Sequence, residues 1–379
     1  MTNFIVHIGD GKCGSSAIQA ALFDAQAALK DAGIGYYSHH RTSGNFCLGT
    51  LVGKSTRGND AQQRKYALKA IDELKIISKS VDYIVISSES FLSIEPNDII
   101  ELLKSIDPAP RQVDVISYVR DPLGMYLSLA QQSIKASYRF PRPDRYIRPI
   151  DRYLASWQCH PEVNSLNVRM FDRKHLVEGN AVADFELLLR DLTGKVEIEL
   201  EHINENTSLS SEQMVVLQDY RSRFCREIEG KSAAGSSRLI EMFTAMNASG
   251  LVGSKPALNE RAAQLVLKGN DDIISRINHR YRLSINCPKS IEVPSSDTDW
   301  SKISSILTPI ETDYLHHLKM FIPDFNPSLR RGDFSRVDRS KDKLREMQPG
   351  KMYAIERAAE VYWIAESISG LLAPYSAVR

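Results

Sequence analysis

Residues 4 to 22 read FIVHIGDGKCGSSAIQAAL. The apolar run Phe4 to Ile8 predicts a buried strand. It enters a turn carrying Gly9, Gly11 and Gly14, and Ser15 and Ser16 then open a helix. That helix has an apolar stripe at Ile18, Ala21, Leu22, Ala25, Leu29 and Ala32, which fits a 3.6-residue period, and Gly33 supplies a stop. A strand, a glycine turn and a helix in this order build an anion site from backbone N–H groups and the positive end of the helix. Lys12 stands inside the turn, where an ammonium reaches a bound anion. A Walker A loop has the spacing Gly-x-x-x-x-Gly-Lys-Ser/Thr. Here Gly9 and Gly14 keep the glycine separation, but Ser15 follows Gly14 and the lysine precedes it by two residues. The turn reads as a phosphate loop that departs from the nucleoside-triphosphatase pattern.

Further along, Tyr83 to Ile86 is a compact apolar run that predicts a buried parallel strand, and Val113 to Val119 and Leu166 to Phe171 are read as further strands. Helices are predicted from about Gln62 to Lys79, after Asn97 and from about Gly124 to Ala136. Residues 34 to 60 read as irregular and polar. Strands alternating with helices over roughly the first 190 residues imply a parallel sheet covered on both faces. Ligands of such sheets bind beyond the carboxyl ends of the strands. The tips of the first three of these strands carry Lys12, Glu89 and Arg120, so all three are expected at one crevice. From about Leu209 to Arg282 the pattern is helical. Ile285 to Trp300 reads as a linker. Helical stretches are expected near 301–320 and 350–373, with a charge-dense, solvated segment over 327–346 between them.

The chain has 379 residues, 42% of them hydrophobic, and a formal net charge of +1. Such a balance does not favour wholesale binding to a nucleic acid. The five cysteines, Cys13, Cys47, Cys159, Cys225 and Cys287, are scattered, with no CxxC pair, so neither a disulfide framework nor a zinc site is expected. No metal is expected in the site. The N-terminus enters the first strand directly and no apolar run reaches the ~20 residues of a membrane span. A soluble, cytoplasmic protein without a membrane span is the expectation.

Two short motifs in order give the chain a resemblance to the sulfotransferase family. The 5′-phosphosulfate loop of that family, Lys-Ser/Thr-Gly-Thr/Ser-Thr/Ser, is similar to Lys12-Cys13-Gly14-Ser15-Ser16, with a departure at Cys13. Its 3′-phosphate site, an arginine at a strand end and a serine eight residues later, resembles Arg120 and Ser128 within YVRDPLGMYLSL. The stretch VRMFDRKHLVEGNAVADFELLL from Val168, and Asn206-Thr207-Ser208-Leu209 before a helix, also look like regions of bacterial members. The resemblance covers roughly residues 1 to 285. It implies an α/β, P-loop NTPase-like three-layer fold with a central parallel sheet, becoming helical from about 209. Residues 286–379 would be a linker and a helical, charged C-terminal extension. It also implies transfer of a sulfuryl group from 3′-phosphoadenosine 5′-phosphosulfate to a hydroxyl or amine acceptor, with a carbohydrate or another anionic molecule among the candidates. Lys12, Cys13, Gly14, Ser15, Ser16, Arg120 and Ser128 would hold the donor, and Lys12 would also steady the leaving phosphate. Glu89 is the candidate proton acceptor.

The residues themselves agree with that donor. A guanidinium with a nearby hydroxyl makes a second anion site, and a nucleoside triphosphate has no second phosphate to fill one. A P-loop kinase is the competing enzyme, disfavoured by the lysine position and by the lack of a Walker B carboxylate. A non-catalytic nucleotide-binding protein that kept the fold is the third reading. Cys13 is expected to pack as a small residue, and His39 and His40 to be exposed in a polar loop. Finally, Arg139, Arg142, Arg145 and Arg148 recur every three residues among prolines in YRFPRPDRYIRPIDRY. Polyproline II has three residues per turn, and in it the four guanidiniums would share one edge for an anionic or sugar-containing acceptor.

Overall fold

The computed structural model describes residues 1–53, 60–202, 208–228, 233–248, 253–291, 298–331 and 333–347. In chain order its elements begin with β1 (Asn3–His7), α1 (Ser15–Asp24), α2 (Gln26–Asp31), β2 (Ile34–Gly35), α3 (Asp60–Ile77) and β3 (Tyr83–Ser87). There follow α4 (Pro96–Ile106), β4 (Gln112–Val119), α5 (Pro122–Ala136), α6 (Ile150–Cys159), β5 (Ser165–Met170) and α7 (Ala181–Thr193). The rest is α8 (Ser211–Phe224), α9 (Ala234–Ala248), β6 (Ala257–Leu258), α10 (Glu260–Lys268), α11 (Asp271–Tyr281), β7 (Leu307–Thr308), α12 (Thr312–Lys319) and α13 (Ser335–Met347). These elements fall into two compact units that alternate along the sequence, each counted over its described residues: Met1–Pro122 with Arg148–Glu205 and Asn270–Pro288, and Leu123–Ile147 with Asn206–Gly269 and the described residues from Lys289 onward.

The first unit is α/β. Its five strands are all parallel, in the order β2-β3-β1-β4-β5. One face carries Phe4, Val6, Ile84, Ile86, Val113 and Val115, which join the core formed with α3, α4, α6 and α11. On the other face, α1 and α7 pack together, and the His7 ring of β1 meets Phe185 of α7 with centroids 5.4 Å apart. Helices cover both faces, which is why the central strands β1, β3 and β4 are mostly apolar, whereas the edge strand β5 is largely half-buried and alternates Leu166, Val168 and Met170 with Ser165, Asn167 and Arg169. A buried carboxylate fixes α7: Asp184 accepts from the Tyr118 hydroxyl at 3.0 Å, from Arg169 Nε at 3.0 Å and from the Val177 N–H at 3.2 Å.

The second unit is mainly helical, with β6 and β7 forming one short antiparallel pair. Two buried charges on α8 organise it. Arg221 is 1% exposed and donates to the carbonyls of Lys135, Ala136 and Ile228 and to Ser236 Oγ. It thereby satisfies carbonyls at the end of α5 that the helix itself leaves open. Glu212 accepts from Ser210 Oγ at 2.9 Å, the Ser254 N–H at 2.9 Å and the Glu311 N–H at 3.0 Å.

Three expectations change. The stripe read as one helix through Ala32 is broken at Ala25 (φ −89°, ψ 7°) into α1 and α2. The charge-dense segment 327–346 is not merely solvated coil. It contains α13, whose Val337 and Ser340 are buried, with Ser340 Oγ 3.1 Å from His317 Nδ1 of α12. The polyproline edge does not form, because Pro143–Arg145 makes a 3-10 turn and Asp144 captures the Arg142 guanidinium at 2.8 Å. Arg139 lies on its neighbour Tyr138 instead. The helix expected over 350–373 and the residues Asn206 and Thr207 lie outside the described residues. No helix among the described residues is long and apolar enough to cross a membrane.

Candidate functional site

Parallel strands put the carboxyl ends of β1, β3 and β4 on one edge of the first unit's sheet, and the candidate residues of that unit gather there. Residues 8 to 14 form the turn out of β1. Three of them have left-handed backbones: Gly9 (φ 38°), Lys12 (φ 70°) and Gly14 (φ 78°). Gly14 needs its missing side chain as well as its angle. A Cβ there would stand 2.7 Å from Ala181 Cβ and 3.0 Å from the Phe171 ring. The start of α7 thus sets the height of the turn. Gly14→Ala is expected to destabilise the protein by roughly 2–4 kcal/mol, combining backbone strain with overpacking. A denaturant midpoint within the wild-type error would show that the turn adapts.

Helix α1 begins at Ser15 with no side-chain cap. The N–H groups of Ala17 and Ile18 already donate to the Gly14 carbonyl at 3.1 Å, so the open end of the helix is at Ser15 and Ser16. Two further polar atoms border the same turn. Ser15 Oγ and His7 Nε2 are buried without a hydrogen-bond partner, and a Cβ on Gly9 would lie 2.9 and 3.2 Å from them. His7 Nδ1 is 2.8 Å from Ser87 Oγ, which ties the floor of the turn to β3.

Arg120, the first residue past β4, donates from Nη1 to the Lys12 carbonyl at 3.3 Å and lies over the Phe171 ring, 5.7 Å from its centroid. Glu89, past β3 and exposed, has Oε2 3.5 Å from the Cβ position of Gly11. Lys12, Cys13, Gly14, Ser15, Ser16, Glu89 and Arg120 all belong to the first unit and flank one turn. Ser128 stands half-buried on α5, in the second unit. Cys13 is wholly buried, and that burial pushes its thiol well above the usual range, with Asp10 adding to the rise, so it packs as a thiol. His39 is not simply exposed. It packs between Tyr37 and Tyr66, with centroids 5.6 and 4.5 Å away, and burial lowers its pKa, while His40 remains exposed.

The sequence reading missed a buried ion pair inside the turn. Asp10, 3% exposed, pairs with Arg148, which stands just before α6. Of the four arginines in the proline-bearing stretch, this one reaches the glycine turn. Asp10 beside Gly9 and Gly11 is plain in the sequence, but its arginine partner arrives from 138 residues away. Desolvation raises the Asp10 pKa from 3.8 to about 6, against the attraction of Arg148 and with some help from the charge of Glu89. Burial lowers the His7 pKa from 6.5 to about 4.

The two shifts have opposite consequences. Folded Asp10 holds its proton more tightly than the unfolded chain does, so its contribution to stability falls as pH rises from 3.8 to 6. Folded His7 releases its proton more readily, so its contribution rises between pH 4 and 6.5. Removing the acid leaves the histidine slope unopposed. Relative to wild type, Asp10→Asn should gain stability as pH goes from 4 to 7, by about 1–3 kcal/mol at the upper end. The lower figure allows for Arg148 losing its countercharge. Thermal melts of both proteins across this range decide it, and a pH-independent difference would refute the assignment.

Among the described residues, no cluster of three or more His, Cys, Asp or Glu side chains is arranged to hold a metal ion. The chain matches no protein-family model, no curated protein and no solved structure.

Proposed function

We propose that the chain is a sulfotransferase on a P-loop-type fold, taking 3′-phosphoadenosine 5′-phosphosulfate as donor and a hydroxyl or amine acceptor, carbohydrates included. The observation that carries this reading is the reach of Arg120 from the β4 tip to the carbonyl of Lys12. It brings the guanidinium of the β4 tip against the backbone of the glycine turn that carries Lys12, which supports a donor with anionic groups at two places. The turn and the start of α1 cradle the 5′-phosphosulfate, and the Arg120 guanidinium takes the 3′-phosphate. In the transfer, the bond from sulfur to the phosphate oxygen breaks and a new one forms to the acceptor. The departing 3′-phosphoadenosine 5′-phosphate keeps the electron pair, and Lys12 stabilises the charge that develops on it. The acceptor proton passes to Glu89, whose carboxylate lies beside Gly11.

Calorimetric titration tests the donor class. Saturable binding of 3′-phosphoadenosine 5′-phosphate without metal, tighter than that of adenosine 5′-phosphate, is expected. Preference for ATP in the presence of Mg²⁺ would reassign the chain to phosphoryl transfer. Ser128, carried over with Arg120 by the resemblance, is tested by itself through Ser128→Ala.

A further inference from the structure

A concavity in the first unit lies between α6 and α11 and has no part in the glycine turn. Its volume is about 740 Å³, within the range of small-molecule sites. Its lining includes four arginines, Arg152, Arg276, Arg280 and Arg282, with His279 and a single carboxylate, Asp151. Asp151 is taken up by Arg276 at 2.8 Å, and Arg280 bonds Gln158 Oε1 at 2.5 Å. Arg152 and Arg282 have no such partner among the described residues. All four arginines are exposed, so water screens their repulsion, but the cavity still presents more positive than negative side chains and attracts an anion from solvent.

Two local features go against ordinary stability. Arg152 sits in the first turn of α6, where the helix dipole disfavours a cation. Arg282 caps α11 with a left-handed backbone (φ 54°), in the place where glycine is usual. Strained residues of this kind gather at ligand clamps. Next to it, the Tyr281 hydroxyl is buried without a partner, and the Arg280 guanidinium lies 5.9 Å from the Tyr281 ring centroid.

We propose that this groove is a second anion site, built for a compact small molecule carrying several phosphate groups. Planar guanidiniums match phosphate oxygens in pairs, and several arginines around one cavity select for charge number over a single phosphate. The proposal does not depend on the reading of the glycine turn.

The test uses inorganic triphosphate as probe in calorimetric titrations of the full chain, with inorganic phosphate as the low-charge control. Saturable triphosphate binding, much tighter than that of phosphate, is expected. Arg152→Ala combined with Arg282→Gly should weaken it by about tenfold or more, the scale for losing charge-assisted contacts. The glycine at 282 relieves the left-handed strain, so the double variant should stay folded, which a thermal melt verifies. Lys12→Ala should retain the binding. The proposal is overturned if triphosphate does not saturate the protein, if Lys12→Ala abolishes all binding, or if the double variant binds as wild type does. Binding of a long polyanion such as heparin or RNA without binding of triphosphate also overturns it, because the occupant would then be a macromolecule.

Discussion

Lys12→Ala is expected to reduce donor turnover by about 10²–10³-fold, or roughly 3–4 kcal/mol of transition-state stabilisation, with the fold retained. The expectation rests on position and on cost. Lys12 occupies a left-handed backbone (φ 70°) between glycines that are themselves left-handed. A lysine there carries strain of order 1 kcal/mol that glycine would not. Retaining a strained lysine at the turn is reasonable if the ammonium acts on the leaving phosphate. The companion variant Lys12→Gly separates chemistry from architecture. It removes the ammonium and also the strain, so it should lose as much turnover as Lys12→Ala while melting at or above the wild-type temperature. Measured turnover of the donor and melting curves of both variants settle the matter. A glycine variant that turns over normally would strip Lys12 of its role, and one that is both inactive and unstable would mean that the side chain braces the turn.

The central strands were legible because buried parallel strands show as short, mostly apolar runs, and β5 because Leu166, Val168 and Met170 recur at every second position. Phe4 to Ile8, Tyr83 to Ile86, Val113 to Val119 and Leu166 to Phe171 each fall within one residue of the observed β1, β3, β4 and β5. Strand β2 has only Ile34 and Gly35, too few residues to show any period. The break at Ala25 was hidden because α2 starts at the next residue and the apolar stripe runs on past it. Helix α13 was read as a solvated segment because its charges outweigh its apolar residues, although arginine, lysine and glutamate are good helix formers. At the site, the contiguous turn could be read directly, and parallel strand order was enough to bring Glu89 and Arg120 to it. Arg148 could not be foreseen. The threefold spacing of the arginines suggested one shared edge, but Asp144 neutralises Arg142 locally and Asp10 draws Arg148 into the turn. Periodicity describes a backbone, whereas these partners are chosen by tertiary packing.

Arg120→Ala is expected to weaken binding of 3′-phosphoadenosine 5′-phosphate by about 2–5 kcal/mol, the scale for removing one partner of a desolvated charge pair. Two roles must be told apart, because the guanidinium already touches the protein. Its Nη1 holds the Lys12 carbonyl at 3.3 Å, and its plane lies over Phe171. An arginine that only braced the turn would, when removed, weaken every ligand of that turn alike. An arginine that reads the 3′-phosphate would, when removed, cost affinity only where that phosphate exists. Titrating wild type and variant with 3′-phosphoadenosine 5′-phosphate and with adenosine 5′-phosphate forms a closed cycle whose interaction energy isolates the contact. In the variant the two nucleotides should bind nearly equally, while adenosine 5′-phosphate keeps most of its wild-type affinity. Arg120→Lys should recover part of the discrimination, since it restores the charge without the planar fork that can serve the carbonyl and a phosphate together. Equal losses for both nucleotides would make Arg120 a brace, and the donor's second phosphate would then have to be read by other residues.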